Sequence, residues 1–498
     1  MGFGIDVENN SEINPLFTNA EAGNFTLTAA SPAIDGGLQI PFANAATSKD
    51  IAGNPRITGI SIDLGAYENT APVLYTPDSA GIMYVVKGAS GTGASWNNAV
   101  GELAVALKKA QVLNANTPGK VTQIWVAKGT YKPMYRANAL NSANTSDLNN
   151  TFLLQSGVAV YGHFAGTETA ISQRNLGLAE NKTILTGDLN GDDEYIDEKL
   201  FGNTGDNAYH VVMCAGAGTP QLDGFTIKGG NSVNDNVVHT VNGITNVKRN
   251  QGGGIYITGS QPVLSNVILS GNRGYNSAAI FNESSASVFK NLLITGNIST
   301  MGCAGITHIG SGVEIKLINS TITKNSGAKN TVGMMVSGGT LRAYNSIMWG
   351  NTASNGVQSV TQIFHYNNTV EGATAVGYWN ALTHGSNVSN SSTADDPLFT
   401  NPDSNIFTLQ HASPARDAGN SIYYTDASSA TDLAGNPRVY GTTIDKGAYE
   451  KQAIVITPDV NGRIYVVKGA AGEGKSWENA AGEMADALKA ANNFRLVP

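Results

Sequence analysis

The sequence predicts an all-β fold: a right-handed parallel β-helix solenoid with an N-terminal capping α-helix, in tandem units of about 382 residues. Three observations carry that expectation. Short apolar segments ending in Asn recur through the middle of the chain. Two long stretches near the start return almost intact near the end. Charged residues make up only 14% and glycines number 58, a composition poor for helices and suited to short strands joined by tight turns.

The short segments are Leu222-Asp-Gly-Phe-Thr-Ile-Lys-Gly-Gly-Asn231, Leu264-Ser-Asn-Val-Ile-Leu-Ser-Gly-Asn272, Phe289-Lys-Asn-Leu-Leu-Ile-Thr-Gly-Asn297, Leu317-Ile-Asn-Ser-Thr-Ile-Thr-Lys-Asn325 and Ala343-Tyr-Asn-Ser-Ile-Met-Trp-Gly-Asn351. From Asn272 to Asn297, Asn325 and Asn351 the steps are 25, 28 and 26 residues, whereas Asn231 to Asn272 is 41 and needs an insertion. A second series lies between them: Gly252-Gly-Gly-Ile-Tyr256, Ser277-Ala-Ala-Ile-Phe281 and Cys303-Ala-Gly-Ile306. Strands this short bury their apolar side chains only by stacking coil on coil. The terminal asparagines are expected to adopt a left-handed turn conformation and to bond the Asn one coil away, forming a structural ladder.

The long repeats set the unit. Pro15-Leu-Phe17, Phe25-Thr-Leu27, Ser31-Pro-Ala-Ile-Asp35, Asp50-Ile-Ala-Gly-Asn-Pro-Arg56 and Ile62-Asp-Leu-Gly-Ala-Tyr-Glu68 return as Pro397-Leu-Phe399, Phe407-Thr-Leu409, Ser413-Pro-Ala-Arg-Asp417, Asp432-Leu-Ala-Gly-Asn-Pro-Arg438 and Ile444-Asp-Lys-Gly-Ala-Tyr-Glu450, at a constant offset of 382. Thr76-Pro-Asp78, Tyr84-Val-Val-Lys-Gly88 and Ser95-Trp96 return as Thr457-Pro-Asp459, Tyr465-Val-Val-Lys-Gly469 and Ser476-Trp477, at an offset of 381. Residues 1–70 are therefore expected to end a preceding β-helix unit, 71–452 to form a complete one, and 453–498 to form the cap of the next. A chain cut inside repeats at both ends is expected to be a slice of a longer array. Val100, Leu103, Ala104, Leu107 and Ala110 line one face of the predicted cap helix, with Ser95 or Asn97 as its N-cap.

The net charge of −8, with no Lys/Arg cluster, argues against nucleic acid as a partner. No apolar run approaches the roughly 18–20 residues a membrane span needs, and the first residues lack the basic and apolar regions of a signal peptide. The two cysteines, Cys214 and Cys303, exclude a disulfide scaffold and are expected to be small buried residues.

The Gly-Gly-Ile and Asn-x-x-Ile-x-Gly-Asn patterns resemble parallel β-helix repeats, including those of chlamydial polymorphic outer-membrane proteins. Ile124-Trp-Val-Ala-Lys-Gly-Thr-Tyr131, Gly162-His-Phe-Ala-Gly-Thr-Glu168, Thr186-Gly-Asp-Leu-Asn-Gly-Asp192 and Asp396-Pro-Leu-Phe399 with Gly447-Ala-Tyr-Glu450 are similar to large secreted β-helix proteins of Bacteroidota type, whose C-terminal part is called a choice-of-anchor Q domain. The resemblance covers nearly all of the chain. It implies a pectate-lyase-like fold, an opening helix that caps the solenoid, and export to the outer cell surface, often by type IX secretion. It does not specify activity, because such folds host lyases, hydrolases and adhesins alike.

Two candidate sites follow. In Asp188-Leu-Asn-Gly-Asp-Asp-Glu-Tyr-Ile-Asp-Glu198, oxygen ligands at alternate positions suit Ca²⁺, with Asp188, Asn190, Asp192, Asp193 and Asp197 as the candidate set. The loop departs from the EF-hand pattern, since Asp193 replaces the turn Gly and Lys199 stands where a bidentate Glu belongs. Near the end of the stack Tyr366, Tyr378 and Trp379, with Trp349 and Phe364, are candidates for stacking on sugar faces; filling and capping the last coil is the competing role. Arg249, His210, Glu283 and His308 fall in different coils and Asp223 stands alone in its strand, so no catalytic group is expected. The expected function is a structural or adhesive module of a tandem-repeat surface protein, not an enzyme. Its expected partners are adjacent repeat units and glycans or receptors on a host or cell surface. The rival is a polysaccharide lyase or glycoside hydrolase on the same scaffold.

Overall fold

The computed structural model describes residues 15–28, 31, 33–35, 37, 47–59, 62–70, 74–137, 145–327, 332–353, 363–370, 389–390, 396–424, 430–441, 443–452, 456–468, 470, 472–482 and 484–495. The chain divides into two compact units, Met1–Glu450 and Lys451–Pro498.

The first unit is a parallel β-helix. Three long columns of parallel strands run down it, holding six, nine and nine of the described strands, beside a shorter fourth column of four two-residue strands. One coil shows the order: Ile255–Ser260 in the first sheet, Val263–Ser265 in the second, Ile268–Ser270 in the third, then Ile280–Glu283 back in the first. Register is kept from coil to coil, as in Leu264↔Phe289↔Leu317↔Ala343 and Leu269↔Ile294↔Ile322↔Met348. These are the alternate, inward-facing residues of each strand, and all eight are buried in one continuous core.

Asparagine does two jobs in each coil, and they fall on different residues. Asn266, Asn291, Asn319, Asn345 and Asn367 turn the corner between the second and third sheets with φ between 45° and 61°, the left-handed region that Asn tolerates. The segment-ending asparagines form the expected ladder, but without positive φ. That conformation falls one residue earlier, on Gly271, Gly296, Lys324 and Gly350. The turn before the ladder leaves each Asn side chain pointing inward, so the left-handed step and the amide bond need separate residues. Asn297 donates from Nδ2 to Asn325 Oδ1 at 2.9 Å, and Asn272 to Asn297 and Asn325 to Asn351 do the same at 3.0 and 2.9 Å. Asn231 lies outside the ladder. It is in register with Arg273, which places Gly230 opposite Asn272; a Cβ at 230 would lie 1.9 Å from the Gly253 carbonyl oxygen.

The cap helix α1 spans Leu103–Asn116 and buries Leu103, Ala104, Ala106, Leu107 and Ala110. Glu102 stands at its N-cap with no side-chain cap bond. Ser95 and Asn97 do not cap it: Ser95 precedes a separate 3-10 turn, Trp96–Asn98, and gives that turn no side-chain bond either. The apolar face begins at Val100, but Val100 is drawn into a bridge with Val85 and delays the helix.

Residues 396–450 form a strap along the corner between the second and third sheets. Its antiparallel hairpin, Phe399–Asn401 with Ile406–Leu409, puts Phe399, Phe407 and Leu409 into a core with Ala415, Leu433 and Ala448 of the strap and Leu293 and Ile347 of the coils. Polar bonds fix it: Asn319 Nδ2 donates to the Asp445 carbonyl at 2.8 Å, the Ala448 amide to Thr321 Oγ1 at 3.0 Å, and the Gly447 amide to the Asn345 carbonyl at 2.7 Å.

The second unit repeats the start of the cap. Asp459 Oδ1 accepts from the amides of Asn461 and Arg463 at 2.9 and 2.8 Å, and Tyr465 donates to its Oδ2 at 3.1 Å. Asp78 makes the same three bonds with Ala80, Ile82 and Tyr84 at 2.9, 2.9 and 3.0 Å. Its helix α2 spans Met484–Arg495.

Candidate functional site

On the second sheet, residues in register from coil to coil share one outward column: Asp223, Ser265, Lys290, Ile318, Tyr344 and Tyr366. Strand pairing alone therefore sets Tyr344 beside Tyr366, and their rings stack with centroids 4.8 Å apart and planes 17° apart. The strap adds Tyr423 from the 3-10 turn Ser421–Tyr423. Its ring lies 4.7 Å from Tyr344 and 5.7 Å from Tyr366. All three rings are half-buried and pack against one another. Ile422 beside them is 76% exposed.

Polar groups border the rings. Arg342 lies two residues before Tyr344, so it shares the outward face. It donates from Nη1 to the Tyr366 hydroxyl at 2.7 Å and pairs through Nε with Glu314 Oε2 at 2.6 Å. Partial burial raises the Tyr344 phenol, with the Arg342 charge opposing the rise, and the ring carries a neutral hydroxyl at physiological pH. The patch thus joins three packed, partly exposed aromatic rings to a guanidinium, a carboxylate and phenols, a chemistry suited to the apolar face and hydroxyl edge of a pyranose. Of these three rings the sequence pointed to Tyr366 alone. Tyr344 was missed although it stands in the repeated segment Ala343-Tyr-Asn345, where the corner Asn marks the residue before it as outward. Tyr423 carried no signal. Tyr378 and Trp379 lie outside the described residues, as does the side chain of Phe364, and Trp349 packs against the core beneath the strap.

The acidic loop is only partly gathered. Carboxylate oxygens of Asp188, Asp192 and Asp206 lie within 4.8 Å of one another. Asp206 comes from the turn Thr204–Asp206 and was outside the sequence-based set. Asn190 donates its amide to Asp206 Oδ2 at 2.8 Å and accepts from the Asp192 amide at 3.2 Å. Asp193 turns away to accept from Tyr195 at 2.8 Å and Asn207 at 3.0 Å, and burial raises its carboxyl to about 6. Asp197 sits at the tip of the hairpin Glu194–Gly202 and pairs with Lys324 Nζ at 2.6 Å. Three hard oxygen donors on a partly exposed turn fit a Ca²⁺ ion completed by water.

The residues weighed as catalytic are held one by one. His210 is buried, bonds the Gly252 carbonyl at 3.1 Å, and is pushed down to about 4 by burial. His308 is buried and bonds Asn282 at 2.9 Å and the Val313 carbonyl at 3.2 Å. Arg249 donates to His239 at 3.0 Å and pairs with Asp235 at 3.5 Å. Asp223 is not alone: Arg174 Nη2 meets its Oδ1 at 2.9 Å and Asn266 donates to it at 3.1 Å. Glu283 lies in the first sheet, and its carboxylate hydrogen-bonds the Tyr256 hydroxyl. Cys214 and Cys303 are free and buried, and burial raises both thiols, that of Cys303 to about 12.

No family model and no curated protein matches the chain. Among solved structures, pectate lyase Pel9A aligns over 76% of this chain and 97% of its own, with 14% identity and a TM-score of 0.30. A likeness that slight carries no argument, and the β-helix assignment rests on the strand registers described above.

Proposed function

We propose that this chain is a glycan-binding, adhesive module of a tandem-repeat bacterial surface protein, and that Tyr344, Tyr366 and Tyr423 with Arg342 and Glu314 form its sugar platform. The observation that carries this reading is the three-ring patch on an open sheet face with a guanidinium and a carboxylate at its edge. A β-helix face is long and shallow, which suits an extended chain of sugars, and repetition of the unit multiplies weak sites into avidity. The polar residues weighed for catalysis are each tied to a structural partner, which favours binding over turnover. Calcium at Asp188, Asp192 and Asp206 is the proposed cofactor, and it would tie the turn at 204–206 to the loop that follows Thr186. Neighbouring units, surface glycans and receptors are the proposed partners, the outer cell surface the proposed location, and type IX secretion the proposed route.

The test is titration calorimetry or a glycan array with the whole chain, beside Tyr344→Ala and Tyr366→Ala. Each substitution removes a stacking face and is expected to weaken a positive interaction by about tenfold or more, about 1.4 kcal/mol. Binding that both variants retain, or robust cleavage of any glycan in the same panel, would overturn the reading.

A further inference from the structure

The chain carries the strap twice, and among the described residues only the second copy buries its aromatic face against coils. Phe17–Asn19 and Asn24–Leu27 pair as Phe17↔Leu27 and Asn19↔Asn24; Phe399–Asn401 and Ile406–Leu409 pair as Phe399↔Leu409 and Asn401↔Ile406. Phe17 and Phe25 meet edge to face at 5.4 Å and 84°, and Phe399 and Phe407 at 5.4 Å and 80°. Ser31 donates to the Pro15 carbonyl at 2.6 Å, as Ser413 does to that of Pro397 at 2.6 Å. Asp50 Oδ2 accepts from the Glu68 amide at 2.8 Å, as Asp432 Oδ2 does from the Glu450 amide at 2.8 Å. The two copies share one internal architecture.

They differ on one face. Phe399, Phe407, Leu433 and Ala448 are 6%, 2%, 7% and 0% exposed, whereas Phe17, Phe25 and Ile51 are 37%, 46% and 71% exposed and Ala66 is also exposed. The glycine that precedes each of these alanines tells the same story. A Cβ on Gly447 would strike Ile347 and Thr321 at 2.8 Å, while one on Gly65 meets nothing within 4 Å.

We infer that residues 15–68 are a docking surface whose occupant is a β-helix coil stack of this chain's own kind, seated as residues 264–351 are seated under the second strap. The second copy defines the chemistry of that occupant. It presents an aliphatic pair at the positions of Leu293 and Ile347, a hydroxyl at that of Thr321 to accept from the Ala66 amide, and a backbone carbonyl at that of Asn345 to accept from the Gly65 amide. The inference deepens the tandem-unit part of the proposed function and is independent of its sugar platform. The coil corner within this chain is already occupied by residues 396–450, so the surface at 15–68 needs a corner whose own strap is absent or displaced.

The experiment joins a second copy of residues 71–396 directly ahead of Pro15 in the whole chain. Amide exchange at Phe17 and Leu27 is expected to slow by at least about tenfold relative to the original chain, and Phe17→Asp with Phe25→Asp is expected to abolish that slowing. Exchange unchanged by the added coils, or slowing that survives the double substitution, overturns the inference. Should the extended chain not fold, the original chain with Phe399→Asp and Phe407→Asp decides. Its uncovered corner is expected to recruit the 15–68 surface of another molecule, giving association by light scattering that Phe17→Asp with Phe25→Asp reverses. A species that stays monomeric, or association that survives those changes, overturns it. Loss of sugar binding in the tyrosine variants leaves all of these outcomes unaffected.

Discussion

Asn297 donates both its backbone amide and its side-chain amide to the same oxygen, Oδ1 of Asn325, at 3.1 and 2.9 Å. The bond is fully buried, and Asn297 Oδ1 in turn accepts both amides of Asn272 at 3.0 Å. Replacing Asn297 by Ala thus takes the shared acceptor from both amides of Asn272 and the side-chain donor from the Leu269 carbonyl, which it meets at 2.9 Å. A buried unsatisfied group costs ~1–3 kcal/mol, and more than one is stranded here. Asn297→Ala is expected to lower unfolding free energy by about 3 kcal/mol in denaturant titration. Asn231→Ala, outside the ladder with its amide on the Thr204 carbonyl at 3.0 Å, is expected to cost ~1 kcal/mol. Equal effects of the two would mean that the ladder adds nothing special.

Calcium at the acidic turn is expected to raise the melting temperature of chelator-treated protein, and Asp206→Asn is expected to remove most of that rise. Free ion at about a hundred times Kd would stabilise by ~2.7 kcal/mol. Asp197→Asn should leave the calcium response intact, because Asp197 is committed to Lys324. Calorimetry with no binding heat at millimolar calcium would discard the site.

These two cases show what sequence reveals and what it hides. The coils were legible because Asn, Gly and Ile recur at a period set by geometry, and register then follows from the repeat. The ladder was legible for the same reason, but the assignment of left-handed φ slipped by one residue, since Gly-Asn and Lys-Asn steps do not announce which member turns. Asp206 escaped because the loop folds back across the β-hairpin at 194–202 to meet it. Tyr423 escaped because the strap returns across the coils from about 80 residues downstream of Tyr344, a contact that no local pattern encodes.

The two straps each carry a buried glutamate, and these set an alkaline limit on stability. Burial, then the neighbouring Asp63 and Asp445 charges, raise Glu68 and Glu450 to about 8 from 4.5. A carboxyl raised on folding favours the native state while protonated, so its stabilisation is complete below 4.5 and is lost as pH rises through 8. Buried His210 and His365 act in the opposite sense. Both are lowered from 6.5 to about 4, so their contribution is present above 6.5 and is lost as pH falls through 4. Between 4.5 and 6.5 the two effects oppose each other, with Asp193, raised to about 6 by burial, on the side of the glutamates; from 6.5 to 8 the two glutamates outweigh Lys108, which burial lowers from 10.5 to about 7 and whose contribution grows as pH rises above 7. Unfolding free energy is expected to change less steeply in the lower window and to fall toward pH 8, by up to ~1.4 kcal/mol per pH unit for each glutamate. Glu450→Gln is expected to flatten that fall. A profile that instead rises between pH 6.5 and 8 would contradict it.

Lys109 of helix α1 ties the first strap to the cap. Its Nζ meets Asp35 Oδ2 at 3.2 Å and lies 5.2 Å from the centre of the Tyr75 ring, with Asp35 1% and Lys109 14% exposed as side chains. The second strap places Asp417 in the position of Asp35, while the residue of α2 equivalent to Lys109 is Ala490. Asp35 also donates its amide to Asp63 at 2.7 Å, and Asp63 is itself raised by burial, with the Lys109 charge among the influences that lower it. Removing the lysine would therefore leave two buried carboxylates without their nearby cation. Breaking a buried pair at one partner costs ~3–5 kcal/mol, and that loss should fall on the strap rather than on the coils. Lys109→Met keeps the aliphatic stem and removes only the charge. It is expected to speed amide exchange in residues 15–68 and leave Leu264–Asn351 unchanged. Faster exchange in the coils as well would show that Lys109 supports the whole solenoid. No change in either region would show that the ion pair contributes nothing.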